Sequence, residues 1–215
     1  MALELYNKNN HVCVSFSDLV TGEAVQANQF LVIDNGHAAI IDPGGELTYS
    51  RLYMALGKYV SVRGLDYIIA SHQDPDIVAS LNRWMVGTSC KAVVPELWER
   101  FIPHFTTPGR TKHRMIPIPD QGMNLQLGNI GLKAIPAHFL HAEGNFQFYD
   151  PVSKILFSGD MGANLSAGDL DKPFRKIQEA IPVMEGFHRR YMSSRKVCQY
   201  WANMIRPLDI EWMVP

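Results

Sequence analysis

The stretch IIASHQDPDIVAS, residues 68–80, runs from a short apolar segment directly into a polar turn. The turn carries one imidazole and two carboxylates at alternate positions, His72, Asp74 and Asp76. A turn that leaves a buried strand can direct side chains at i, i+2 and i+4 into one cleft. Imidazole combined with carboxylate oxygen suits first-row metals such as iron, manganese or zinc. The stretch therefore predicts a metal site at the end of a buried strand.

Two more apolar stretches end in the same way. His141 lies in HFLHAEGNF, residues 138–146, and Asp160 lies in KILFSGDMG, residues 154–162. A single histidine at a strand end is more often a hydrogen-bonded structural residue, and a single aspartate before a helix is more often a cap. Several such residues together predict a shared site, because strand ends in layered α/β folds gather along one rim, where sites are built.

The predicted donor set is rich in oxygen. Two imidazoles and three carboxylates favour iron or manganese over a structural zinc ion, which is typically bound by thiolates. The residues suggest a dinuclear site, since two divalent cations close together need anionic compensation. In this interpretation His72, Asp74 and His141 bind one ion. Asp76 binds the other ion, and Asp160 bridges the two.

The bulk composition indicates one ordinary globular domain over residues 1–215. Apolar residues make up 47% and charged residues 19% of the chain, and the net charge of −1 gives no sign of a nucleic-acid binder. Cys13, Cys90 and Cys198 lack the pairing of a disulfide framework or a thiolate zinc site. No apolar run reaches the roughly 20 residues that span a bilayer. We therefore expect a cytoplasmic protein that binds neither nucleic acid nor membrane.

The hydrophobic pattern predicts an α+β protein. Asn35 and Gly36 join two apolar runs as a strong two-residue hairpin signal. Strands, helices, strands and helices follow one another, which predicts two sheets packed face to face with helices outside, a four-layer αββα sandwich. The first helix is expected to place Leu47, Leu52, Leu56 and Tyr59 near one buried face. The predicted strands cover 11–17, 29–34, 37–42, 65–71, 90–95, 114–118, 124–127, 130–136, 145–150 and 154–158, and the predicted helices cover 46–60, 76–87, 96–105 and 172–206.

These segments resemble the metallo-β-lactamase superfamily. FLVIDNGHAAIIDPGG, residues 30–45, resembles its N-terminal hairpin, and ILFSGDMG, residues 155–162, resembles its late strand with the bridging aspartate. Hydrolases of the superfamily carry HxHxDH in the metal turn, where this chain has HQDPDI. A carboxylate in place of the second histidine is similar to the diiron domain of flavodiiron proteins, whose pattern is HxExD, a distant histidine, eighteen residues, an aspartate and a last distant histidine. Eighteen residues also lie between His141 and Asp160.

The resemblance implies a metallo-β-lactamase fold with two non-haem iron ions, and this chain departs from the pattern at several points. Asp74 is one methylene shorter than the family's glutamate, and Ile77 stands where a histidine often follows the second aspartate. The last turn of the pattern, with its histidine, is missing before Pro215. Residues 1–215 contain no flavodoxin domain, so we expect no FMN site in this chain and an external electron donor. The candidates to replace the last histidine are His104, His113 and His188.

Further residues are expected around the ions. His138 is either a hydrogen-bond partner within the site or an alternative ligand, although the spacing along the chain favours His141. Ile77 and Phe139 are expected to keep water out. The remaining expected neighbours are Asp42 at the Pro-Gly turn and His188 in the pocket wall.

The function implied is that of a non-haem diiron protein that binds O2, with NO as the alternative ligand. It would act as a sensor or as an oxygen or NO reductase module supplied with electrons by a redox partner. A signalling partner and a head-to-tail homodimer are also expected from the resemblance. The rival function is a metal-dependent hydrolase, in which a bridging hydroxide attacks an ester or thioester. The third hypothesis is a structural or signalling domain whose site has degenerated.

Overall fold

Two sheets form the centre of the protein, which a computed structural model describes over residues 1–164 and 172–215. The strands are β1 (Ala2–Lys8), β2 (His11–Phe16), β3 (Gln29–Asp34), β4 (His37–Ile41), β5 (Tyr67–Ile69), β6 (Lys91–Pro95), β7 (Met115–Ile118), β8 (Met123–Leu127), β9 (Ile130–Pro136), β10 (Phe146–Asp150), β11 (Ile155–Phe157) and β12 (Trp212–Val214). The first sheet has the order β1-β2-β3-β4-β5-β6-β7 and the second the order β12-β11-β10-β9-β8. Because β4, β5 and β6 are parallel, their carboxyl ends lie at one edge of the first sheet.

Helices flank both sheets. They are α1 (Glu46–Leu56), α2 (Pro75–Val78), α3 (Leu81–Gly87), α4 (Glu96–Glu99), α5 (Ile177–Tyr191) and α6 (Arg195–Ile205), with 3-10 turns at Val62–Gly64 and Ile102–His104. Across the two described ranges, no helix combines the length and the apolar character needed to cross a bilayer.

The core between the sheets forms because successive side chains of a strand point to opposite faces. Phe30 and Val32 of β3 face the second sheet, where the Phe30 ring packs against Phe157 at a centroid distance of 4.9 Å. Leu31 of the same strand points the other way and joins the core beneath the helices. Both faces of β3 are covered, which explains its continuous apolar sequence.

The outer layers complete the sandwich. α1 and α3 cover the first sheet, where Leu52 and Trp84 are buried in the same cluster as Leu31. α6 covers the second sheet, where Trp201 and Ile205 pack against the buried residues of that face. The order of layers is helix, sheet, sheet, helix, and the predicted αββα sandwich is confirmed.

The first helix differs from its prediction in length and in its buried face. α1 ends at Leu56 rather than at residue 60. Leu47 is 65% exposed, so its predicted burial is wrong. Leu52 and Leu56 are buried as expected, together with Thr48, and these positions share one face because side chains four apart lie above one another on a helix.

Two predicted helical regions are interrupted by serines. In the region predicted as 76–87, Ser80 separates α2 from α3, and its N–H and Oγ bind the Gly44 carbonyl at 3.1 and 2.6 Å. In the region predicted as 172–206, Ser194 caps α6 with its side-chain oxygen. Both interruptions depend on hydrogen bonds that the helical pattern alone does not contain.

β1 is a strand that the sequence analysis did not predict. It lies at the edge of the first sheet and pairs with β2. Its residues are exposed or half-buried rather than alternating cleanly between a core and a solvent face. Edge strands carry such polar character because it discourages pairing with other chains, and the strand signal is correspondingly weak.

The DPGG turn, residues 42–45, packs against the metal turn, residues 72–77. Gly44 has φ +81°, and a Cβ there would lie 2.7 Å from the side chain of Thr48, so only glycine fits. A Cβ on Gly45 would lie 3.1 Å from the Pro75 carbonyl. The Gly44 N–H donates to the Ile77 carbonyl at 3.0 Å. The two turns are thus packed backbone to backbone, which fixes where the carboxylates of the metal turn emerge.

Candidate metal centre

Four predicted site residues meet beyond the carboxyl ends of β5 and β11. Nε2 of His141 lies 3.2 Å from Oδ2 of Asp74 and 2.7 Å from Oδ2 of Asp160. Nε2 of His72 lies 3.7 and 3.6 Å from the same two oxygens. Ligands that share an ion at about 2.1 Å stand about 3 to 3.5 Å from one another. The four atoms therefore have the spacing of a coordination shell.

The two sheets are joined at this edge by a backbone hydrogen bond. Phe146, the first residue of β10, donates its N–H to the carbonyl of Ser71 at 3.0 Å. Ser71 directly precedes His72, and Phe146 ends the loop that carries His141. One bond between the sheets thus fixes the distance between the two imidazole-bearing segments.

A buried relay orients the His72 ring. The Ser71 N–H and Oγ–H both donate to the carboxylate of Asp42, at 2.8 and 2.9 Å. The hydroxyl proton is used in this way, so Ser71 Oγ accepts from Nδ1–H of His72 at 2.9 Å. Burial raises the pKa of Asp42 to about 6. Asp42 stands around the site as predicted, whereas Ser71 was missed, because nothing but its place beside His72 distinguishes it in sequence.

The remaining nitrogen of His72 is without a partner. His72 is 1% exposed, and its Nε2 has no hydrogen-bond partner among the described residues. Leaving a buried polar atom unpaired costs free energy. Since Nδ1–H is held by Ser71, Nε2 presents its lone pair toward the oxygens of Asp74 and Asp160. This donor chemistry fits a bound cation.

The electrostatic field of the site favours positive charge. The hydrogen bond from His141, together with the nearby His72 ring, holds the pKa of Asp74 well below its usual range. Hydrogen bonds to Asp160 and Asp74 raise the pKa of His141 to about 10. Burial lowers the pKa of His72, but Asp74, Asp160 and Asp42 together shift it upward. The carboxylates that raise the two imidazole pKa values would equally attract a metal cation.

Asp76 lies beside the four-atom group rather than within it. It is not among the residues whose ligand atoms lie within 4.8 Å of one another. Burial raises the pKa of Asp76, and the negative charges of Asp74 and Asp160 raise it further. The neighbouring Ile77 is 4% exposed. The position of Asp76 is compatible with the predicted second ion, and its role as a ligand stays a prediction.

None of the three candidate replacement histidines joins the four-atom group among the described residues. His104 and His113 are exposed. Both ring nitrogens of His188 are already bonded, Nδ1–H to the Met184 carbonyl at 2.7 Å and Nε2 to the Gly162 N–H at 3.0 Å. His188 therefore ties α5 to the turn that follows Asp160.

The sequence left open whether His138 or His141 is the metal ligand, and the structure distinguishes the two. His138 points away, with Nε2 bonded to the Asp120 carbonyl at 2.8 Å and its ring against Phe146. A role for His138 as an alternative ligand is therefore wrong in this geometry. Phe139 is 48% exposed, which does not fit its predicted role in excluding water.

Aromatic side chains of α5 cover the exposed flank of His141. The ring of Tyr191 lies 5.6 Å and the ring of Phe187 lies 6.4 Å from the imidazole, centroid to centroid. The two aromatic rings also contact each other at 4.7 Å. They limit water around a side chain that is still 19% exposed.

A second group of metal-ligand residue types lies elsewhere in the molecule and was not singled out from the sequence. His11, Cys13 and Asp150 are buried with their ligand atoms within 4.8 Å of one another. The His11 ring is bonded on both sides, by Nδ1 to Asp34 at 3.1 Å and by Nε2 to Asp150 at 2.7 Å. Ser153 Oγ also donates to Asp150. This group satisfies its own polar atoms and needs no ion.

Comparison with known proteins connects the metal centre to diiron proteins. The family model described as ODP family beta lactamase matches residues 25–215. The chemotaxis sensor ODP from T. denticola, solved in its apo state, is 36% identical, with a TM-score of 0.86 over 100% of this chain and 86% of that chain. The same sensor has been solved as a peroxy diiron species, at 36% identity and a TM-score of 0.87 over 85% of that chain.

More distant relatives are longer than this chain. A mutant of the flavo di-iron protein from Thermotoga maritima matches at 20% identity and a TM-score of 0.78, over 100% of this chain and 56% of that chain, which shows a shared fold. An uncharacterised protein of Methanocaldococcus jannaschii is 28% identical over 191 residues, 87% of this chain. The chain spans 47% of that relative's length.

Proposed function

Because the chain belongs to the family described as ODP family beta lactamase, we propose that it binds O2 at a non-haem diiron centre and acts as an O2 sensor. The observation that carries the proposal is the buried, unpartnered Nε2 of His72 beside the carboxylates of Asp74 and Asp160. Similarity to a chemotaxis sensor solved as a peroxy diiron species supports iron as the metal and O2 as the ligand.

Each protein group has a defined task in this proposal. His72, Asp74 and His141 bind one iron, Asp76 binds the other and Asp160 bridges the two. When bound, reduced iron supplies the electrons and the open coordination position that O2 requires. The protein supplies orientation, since Ser71 holds the His72 ring at 2.9 Å.

A sensing role is favoured over rapid reduction by the relatives. The flavo di-iron protein matches over 56% of its own length, and we propose that the segment matched here has no FMN site of its own. Repeated reduction of O2 or NO would then need a separate electron donor. A sensor needs one stable binding event and a signalling partner that reads it.

The experiment is metal analysis followed by anaerobic reduction and exposure to O2. Iron should be retained, and O2 should produce a charge-transfer band in the near-ultraviolet or visible region. The Asp160→Asn variant should lose iron and band together. Asp209→Asn, which removes a carboxylate that is 75% exposed, is the matched control and should keep both. A parallel exposure to NO measures which gas the reduced protein prefers.

One outcome would reject the proposal in favour of the rival chemistry. A protein that purifies with zinc alone, gives no band with O2 and hydrolyses an ester or thioester would be a hydrolase. A protein that retains no metal in iron-supplemented medium would have a degenerate site.

The assembly of the protein is proposed from its exposed apolar surface and is tested separately. The exposed apolar residues Phe174, Ile177 and Ile181 lie before and along α5, the helix that covers His141. We retain the head-to-tail homodimer and the signalling partner as proposals, and analytical ultracentrifugation of the iron-loaded protein tests the first. A monomer at micromolar concentration would reject it.

A further inference from the structure

A small cavity lies against the metal centre on the side of the first sheet. It has a volume of about 30 Å³. His72 forms one wall, Val78 and Val94 form the floor, and the segment after β6 closes it with Trp98, Phe101 and Ile102. The accessible surface of these walls is almost all carbon, although His72, Gln73 and Trp98 among the lining residues carry polar atoms.

The size and the lining select the occupant. A cavity needs a volume of roughly 10 to 15 Å³, measured in the same way, to hold one water molecule. Apolar cavities in proteins remain dry and accept small apolar guests such as xenon. The volume here suits one diatomic molecule and excludes an organic ester or thioester. The walls offer dispersion contacts and little hydrogen bonding.

The cavity connects the protein surface to the metal ligands. On its outer side Phe101 and Phe105 are 43% and 41% exposed, although they are aromatic. On its inner side stands the fully buried His72. A Cβ on Gly144 would lie 2.7 Å from Nε1 of Trp98, so the indole of the cavity wall packs directly on the loop that carries His141. The cavity wall therefore includes His72, which is a predicted metal ligand. It also includes Trp98, which packs against the loop of His141, another predicted ligand.

Two polar atoms of the lining residues define the competing occupant. Gln73 Oε1 and Trp98 Nε1 are buried and without hydrogen-bond partners among the described residues. One is an acceptor and the other a donor, so together they could hold a water molecule. A water at this place would exclude a gas, and the two occupants can be distinguished experimentally.

We propose that this cavity is a docking site for a diatomic gas, through which O2 reaches the metal centre. The inference rests on the proposed O2-binding function and adds the place where the gas waits before it binds. A small, mainly apolar pocket favours O2 over water and adjoins the His72 ring, while its size keeps larger substrates out.

Xenon is the probe that tests the docking site without any iron chemistry. Crystals of the protein pressurised with xenon should show one xenon between His72, Trp98 and Ile102. The Ile102→Phe variant, which fills the cavity, should show none. A water refined between Gln73 and Trp98 in the wild-type crystal, with xenon absent, would overturn the proposal.

Rapid mixing of the reduced, iron-loaded protein with O2 tests the route. Ile102→Phe should slow O2 association while the iron content stays unchanged. Ile130→Phe makes the same change at a buried site between the sheets, outside the cavity lining, and is the matched control. Unchanged association in Ile102→Phe would overturn the route. If the wild type forms no O2 adduct, the proposed function fails, and the xenon result still decides the cavity.

Discussion

Two groups of histidine and aspartate side chains lie at opposite ends of the sheets, and they differ in the hydrogen bonding of one histidine nitrogen. In the first group His11 is bonded on both ring nitrogens, to Asp34 and Asp150. In the second group His72 is bonded on Nδ1 to Ser71, and its Nε2 has no partner among the described residues. A complete set of hydrogen bonds is typical of a structural group, whereas an unpaired nitrogen beside two carboxylates is typical of a candidate metal site.

The ends of the strands explain the separation of the two groups. β3 ends at Asp34, and β4 returns from the hairpin toward Asp42. β10 begins at Phe146, next to Ser71, and ends at Asp150. Each sheet therefore contributes one end of its strands to the metal centre and the other end to the His11 group.

The carboxylates of the two groups also differ in their solvent exposure. The side chains of Asp34 and Asp150 are 4% and 0% exposed, so the His11 group is closed to ions. The side chains of Asp74 and Asp160 are 33% and 23% exposed, so a cation can enter from solvent. A site that exchanges a metal needs such an entry path.

The largest effect is expected from exchanging one carboxylate for an amide at the metal centre. Asp160→Asn should abolish iron binding, because Asp160 is the predicted bridge and contacts His141 at 2.7 Å. Metal analysis of the iron-reconstituted protein measures it. Retention of the full iron content would refute the assignment.

The same exchange in the His11 group should lower the stability of the fold and leave iron binding intact. Asp150→Asn leaves His11 with a single carboxylate in a buried setting, and removing one partner of a buried ion pair costs about 3 to 5 kcal/mol. The free energy of unfolding measures this loss. Iron content per folded molecule should be unchanged, and a loss of iron would mean that the two groups are coupled.

A pair of serines sharpens the comparison further. Ser71→Ala removes the hydroxyl that accepts from His72, and such changes beside a metal ligand lower metal affinity by about 10- to 100-fold. Ser153→Ala removes the corresponding hydroxyl beside Asp150 and is the matched control. Competition with a chelator gives both affinities. Equal iron affinities in the two variants would show that the relay through Ser71 does not orient His72.

The smallest expected effect is a pH dependence of the stability of the fold, which arises from the His11 group. Burial lowers the pKa of His11, but Asp150 and Asp34 outweigh it and leave the pKa above 6.5. Burial raises the pKa of Asp150, but bonds from His11 and Ser153 leave it below 3.8. The imidazole thus stabilises the fold below pH 6.5 and loses this effect as the pH rises through its folded value. The carboxylate stabilises above pH 3.8 and loses the effect as the pH falls through its folded value.

The stability difference between the wild type and His11→Gln should therefore be largest near pH 5, between the two ordinary pKa values of 3.8 and 6.5. It should shrink toward pH 9. Chemical denaturation of the two proteins across this range measures it. A difference that does not vary with pH would mean that His11 is neutral in the fold.

Much of the fold could be predicted because its strands and turns are local in sequence. The apolar run before His72 and the hairpin at Asn35 and Gly36 are visible without any partner strand. The apolar stretch before Asp160 is equally visible, and the eighteen residues between His141 and Asp160 support the resemblance to the diiron domains. These signals and the resemblance together sufficed to predict the αββα sandwich.

The rest depends on contacts between distant segments. Ser80 interrupts a helix because it binds Gly44, 36 positions earlier. Asp150 reaches His11 across 139 positions and from the other sheet. No periodicity contains such a pairing, so the His11 group and the Ser71 relay were found only in the structure.

The most direct test is a crystal of the iron-reconstituted protein, measured above and below the iron absorption edge. The account predicts two anomalous peaks at the rim, one between Nε2 of His72 and the carboxylates of Asp74 and Asp160, the other beside Asp76. The His11 group should show none. An empty rim, or a peak between His11 and Asp150, would contradict the account.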